Sequence, residues 1–141
     1  MSAIAVSGAL AKATLYNHFR TKDEVWAALV EDEVDALAEL AVDASIADRL
    51  AAVAGALAGH PALERLRADE PETIARLASV GTDGSWASAR DHLRTGLGVG
   101  ASDEAVDVAL RWVTSHIAAP GDPHTRHAGA LLVAAACQSQ A

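Results

Sequence analysis

Residues 3–25 read AIAVSGALAKATLYNHFRTKDEV. Residues 2–8 suit a short helix that a turn around Gly8-Ala9 ends, and Lys12–His18 suits a second short helix. Thr21-Lys22-Asp23-Glu24 then reads as a capping box. The threonine hydroxyl and the glutamate carboxylate can each take a backbone N–H that a helix start leaves without a partner. In the second short helix Leu15 and Phe19 stand four apart and face inward with Leu10. Lys12, Thr14, Tyr16 and Asn17 are left on or near the outer face.

Downstream of the box, Val25, Trp26, Leu29, Val30, Val34, Leu37 and Leu40 recur at spacings of three and four, with acids on much of the opposite face. That pattern predicts a long amphipathic helix of about five turns. A further helix is expected from about Ile46 to Leu57, ended by Gly59-His60-Pro61. Two shorter ones begin near Pro61 and Pro71, since proline suits the first turn of a helix. Val80–Ser85 reads as a loop, Ser85 to about Leu97 as helix, and Leu97–Ser102 as a glycine-rich break. Ser102-Asp103-Glu104 caps a helix carrying Val106, Leu110, Val113 and Ile117. Pro120-Gly121-Asp122-Pro123 is a turn, and the last helix runs to about Cys137. All joints are short and no repeat is seen, which suits a helical bundle.

Composition agrees with an all-α chain. Of 141 residues 51% are apolar, 34 of them alanine, and only 4% are aromatic. Alanine loses no side-chain entropy in a helix and lets helix axes approach, whereas sandwiches and barrels need β-branched and aromatic strands. A mean hydropathy of +0.16 with 21% charged residues speaks against disorder. No apolar run reaches the roughly 18 to 20 residues that cross a bilayer, and no secretion signal is read at the N-terminus. The single cysteine, Cys137, makes neither an internal disulfide nor a thiolate cage, so a cytoplasmic protein is expected.

The net charge of −8 is unevenly spread. Residues 1–22 hold Lys12, Arg20 and Lys22 and no acid, while residues 23–48 hold nine acids and no base. A basic tip is thus joined to an acidic body, which an anionic polymer would approach only at the tip.

Two short helices around a tight turn, followed by a capped long helix, have the geometry of a helix-turn-helix. Lys12, Thr14, Tyr16 and Asn17 are side chains able to bond phosphates or base edges. The run KATLYNHFRTKDEV resembles the recognition helix and the start of the fourth helix in the TetR family of bacterial regulators. The preceding AIAVSGALA is similar to that family's second helix and turn, and the likeness spans roughly 20 contiguous positions. At matching positions the resemblance implies phosphate contacts from Thr14, Tyr16 and Lys22, with Lys12 and Asn17 nearer the bases. His18 is left between a backbone contact and helix packing.

The resemblance divides the chain into a partial DNA-binding region (1–22), a connecting helix (23–43) and a ligand-binding and dimerisation domain (44–141). HPALERLRADEP and ALRWVTSHIAAPGDP are similar to stretches of that family's C-terminal domains. It implies a homodimer in which helices at about 103–118 and 124–137 pair with their symmetry mates. Val106, Leu110, Val113, Ile117, Leu131 and Leu132 offer apolar faces for this, and closing the protomer core is the competing use. Two-fold symmetry would let two recognition helices read successive major grooves. A small molecule is expected to enter the helical domain and change their separation. Trp86, His92, Trp112 and His116 are candidate pocket residues, because aromatic and imidazole groups are scarce elsewhere.

The sequence departs from the family pattern in two places. Met1 falls just before what resembles the second helix, so the family's first helix is missing and weak DNA binding is expected. Ala9 stands where the family has glycine in the turn. A regulator whose start has been placed too far downstream and a dimeric small-molecule-binding module that has lost DNA binding both stay open. His124 and His127 are three apart, but no third ligand or thiolate stands near them, so no metal is expected. Neither a catalytic set nor a phosphate-cradling loop is legible, and neither a cofactor nor enzyme activity is expected.

Overall fold

The computed structural model of the chain describes residues 21, 24, 25, 28, 44–79, 86–98 and 100–139. Among them are α1 (Ile46–Gly59), α2 (Pro61–Asp69), α3 (Pro71–Leu77), α4 (Ala87–Leu97), α5 (Asp103–Ala118) and α6 (Pro123–Gln138). Every regular element among the described residues is helical, as an alanine-rich and aromatic-poor chain requires. The two short helices expected before Thr21, most of the connecting helix and the 80–85 loop lie outside the described residues.

Local chemistry sets where each helix starts. Ser45 Oγ accepts from the Asp48 N–H at 3.1 Å, and Ser102 Oγ accepts from the Ala105 N–H at 3.2 Å. Asp122 does the same for Thr125 at 3.0 Å. Each bond satisfies a donor that the first helical turn leaves open. Pro61, Pro71 and Pro123 occupy first-turn positions, where a missing N–H removes nothing. His60 serves as both the C-cap of α1 and the N-cap of α2, its Nδ1 accepting from the Ala62 N–H at 3.2 Å.

Three boundaries shift by one or two residues from the sequence reading. The first helix continues to Gly59, because its stop is the extended backbone of His60 rather than glycine itself. The fourth begins at Ala87, with Trp86 held outside helical geometry as its N-cap. The last starts at Pro123, because Asp122 rather than Pro123 provides the cap.

The core lies where α1 meets α5 and α6, with α4 and α3 also packed against α5. Leu50, Val53 and Leu57 of α1 pack in one apolar cluster with Val133 and Cys137 of α6. Val25 belongs to the same cluster, so the helix that Thr21 caps is docked on this core at its first turn.

The expectation for α5 as a dimer face is corrected here. Val106, Leu110, Val113 and Ile117 are 0–2% exposed and close the protomer's own core. An apolar stripe read from sequence does not say which surface covers it, and α1, α4 and α6 all pack on the helix that bears this one. Among the described residues, the large apolar side chains left outside are Val108 on α5 and Leu131 and Leu132 on α6.

Candidate functional site

Lys12, Thr14, Tyr16, Asn17, His18 and Lys22, the residues expected to meet DNA, all lie outside the described residues. Their immediate anchor is described. Thr21 Oγ1 accepts from the Glu24 N–H at 3.1 Å, and Glu24 Oε2 accepts from the Thr21 N–H at 3.4 Å. These reciprocal bonds are the capping box that the sequence predicts. The Val25 N–H reaches the Thr21 carbonyl at 3.4 Å, and the Val25 side chain is buried in the core. The junction is therefore tied both to the start of its own helix and to the body of the molecule.

The four pocket candidates fall on two helices. Trp86 stands at the N-cap position of α4, makes no capping side-chain bond, and is buried in the apolar cluster. His92, also on α4, points Nδ1 at the Ser88 carbonyl at 2.8 Å, one helical turn back. With a carbonyl as acceptor, Nδ1 is the protonated nitrogen in this contact. Trp112 and His116 come together on α5, with ring centroids 4.7 Å apart in an edge-on arrangement at 67°. His116 Nδ1 donates to the Trp112 carbonyl at 2.9 Å, and the residue is buried. The Trp112 indole also presses on α6: a Cβ built at Gly129 would stand 2.9 Å from Trp112 Nε1. Trp112 and His116 thus sit where α5 meets α6.

Between α4 and α5, Asp107 takes a hydrogen bond from Arg111 Nε at 2.6 Å and faces Arg90 Nη2 at 3.6 Å. The Arg111 hydrogen bond, then the two positive charges, hold the Asp107 carboxyl below the usual range against a smaller opposing desolvation. The Arg111 pair lies within α5 and the Arg90 pair spans α4 and α5; both are solvent-screened, so each contributes little to stability. On α6, burial pushes the Cys137 thiol above its ordinary value, and its Sγ lies 3.6 Å from the Ala105 carbonyl of α5. That thiol is a packing group rather than a nucleophile.

Sequence reasoning missed Arg67. From the last turn of α2 its Nε donates to the Ile117 carbonyl at 2.7 Å and its Nη2 to the His116 carbonyl at 3.2 Å. The other two bonds go from Nη1 to Ala58 at 3.1 Å and from Nη2 to Leu57 at 3.0 Å. One guanidinium thus collects carbonyls from the carboxyl ends of α1 and α5, groups that a helix leaves without intrahelical partners. Desolvation moves the Arg67 pKa down, opposed by nearby Glu64, yet an arginine stays charged in this setting. Nothing in the local pattern LERLR distinguishes Arg67 from Arg65, because its acceptors are backbone atoms up to 50 residues away.

Among the described residues no group of three metal-ligating side chains occurs, and no helix is long and apolar enough to cross a membrane. Compared with known proteins, the chain matches no family model, no curated protein and no solved structure.

Proposed function

We propose that the chain is a ligand-responsive DNA-binding regulator of TetR type, acting in the cytoplasm as a homodimer and most simply as a repressor. The observation that carries this reading is the junction at Thr21. The capping box fixes the start of the helix directly after KATLYNHF, and Val25 docks that start on the helical core. A segment bearing Lys12, Thr14, Tyr16 and Asn17 immediately precedes that anchored start in the sequence. Basic Lys12, Arg20 and Lys22 against the acids that follow would bring only that segment to a phosphate backbone. The effector would act near Trp112 and His116, where α5 and α6 meet. The symmetry mate would cover Leu131 and Leu132, with Val108 at the margin.

The reading is tested by titrating the chain into fluorescently labelled genomic duplexes at increasing salt. Binding should favour particular sequences and fall steeply with salt. Lys22→Ala should lower the salt slope by about 1 while weakening all duplexes alike. Failure to retain any duplex at low salt overturns the regulator reading.

Ala9 in the turn favours a second reading, a dimeric small-molecule-binding module that has lost DNA binding. It predicts small molecules that raise the melting temperature of a chain that ignores DNA.

A further inference from the structure

We propose that Arg67 is a latch that makes the carboxyl ends of α1 and α5 open and close as one unit, with α2 as the strap that carries it. Four carbonyl oxygens converge on its side chain, two from Leu57 and Ala58 and two from His116 and Ile117. The guanidinium is planar and its donors are fixed in a fork, so these acceptors are held in one mutual geometry. Fraying of either helix end removes acceptors that the group requires while it remains half-buried, which loosens its hold on the other end. The carboxyl ends of both helices also carry the negative poles of their backbone dipoles, so the single cation serves two of them.

The strap itself is short and anchored at both sides. α2 follows α1 after His60 alone, and its Leu63 and Leu66 are buried in the core. On the α5 side, the latch grips the carbonyl of the residue whose ring edges Trp112, and Trp112 presses on Gly129 of α6. A displacement of Trp112 would therefore be felt at the end of α1 through the His116 backbone and Arg67. The coupling is a property of the helical body and holds whether or not the chain binds DNA.

Residue-resolved hydrogen exchange on the intact chain tests it. In the wild type, amides at the end of α1 (Ala58, Gly59) and at the end of α5 (Ala118, Ala119) should share one level of protection and one response to low urea. Arg67→Met should speed exchange at both ends together by roughly tenfold or more, because several charge-assisted bonds are lost at once. Central amides such as Val113 and Val133 should change less. Arg67→Lys keeps the charge but not the fork, and should loosen both ends to an intermediate degree. Different protection at the two wild-type ends, or acceleration at only one end in either variant, overturns the latch. The wild-type comparison decides the matter even if Arg67→Met does not fold.

Discussion

Trp112 shows how a single position draws its neighbours into register. Its indole meets Gly129 so closely that any Cβ there would stand 2.9–3.2 Å from three ring atoms. Replacing a helix-interior glycine by alanine ordinarily gains up to about 1 kcal/mol, because the unfolded chain loses freedom. At Gly129 the ring must move off its edge-on contact with His116, and overpacking costs about 1–3 kcal/mol. Gly129→Ala should thus lower stability by about 1 kcal/mol net. Gly55→Ala in α1 should raise it by about 0.5–1 kcal/mol, because no described atom lies within 4 Å of a Cβ there. Urea midpoints of the two variants check the pair, and equal shifts would remove the packing role given to Trp112. Neither this contact nor the Arg67 clamp was legible in the sequence. Both join atoms distant along the chain, and one of the two partners is glycine or bare backbone. Spacing rules report on neighbours within a helix and are silent about such meetings.

Helices, by contrast, were largely legible, since their ends are decided within four residues. Ser45, Ser102 and Asp122 cap as short oxygen-bearing side chains do, and Pro61, Pro71 and Pro123 mark first turns. The Thr21–Glu24 box was read correctly for the same reason. One of the boundary shifts comes where an unusual residue, Trp86, holds the N-cap position of α4. The α6 cap also carries a pH signature. A hydrogen bond from the Thr125 hydroxyl, then one from the Thr125 N–H, holds the Asp122 carboxyl below its usual range. A carboxyl that titrates lower in the folded than in the unfolded chain gives its full stabilisation above the ordinary value of about 3.9. That stabilisation is lost as the pH falls through the folded value. Asparagine caps about as well without titrating. Asp122→Asn should therefore match the wild type near neutral pH and lose less stability on acidification below about pH 4. Denaturant titrations at both pH values compare the two. A wild type and variant that weaken in parallel on acidification would show that the Asp122 charge contributes nothing there.

For the molecule as a whole, the unsettled surface is the outer side of α6. Its inner side, Ala130, Val133, Ala134 and Cys137, is buried, whereas Leu131 is 52% and Leu132 73% exposed. Between His127 and Ser139 the helix carries no Lys, Arg, Asp or Glu, in a chain whose net charge is −8. Sequence spacing expects both α5 and α6 at one dimer face, with closure of the protomer core as the competing use, because the same spacing serves a core and an interface. The fold turns α5's stripe inward, so the proposed dimer would rest on α6. Covering one fully exposed leucine gains roughly 1.5–3 kcal/mol, and two-fold symmetry counts each such side chain twice. Leu132→Glu places a charge at the centre of that surface without touching the core. It should leave the helical circular dichroism unchanged and shift the sedimenting species from two copies to one. Desolvating two facing carboxylates leaves little of the burial gain. If the chain regulates DNA as a dimer, the same variant should bind duplex with a shallower salt slope, since one protomer neutralises fewer phosphates than two. A wild-type chain that sediments as a single copy at micromolar concentration would remove α6 as an interface and the dimeric regulator with it.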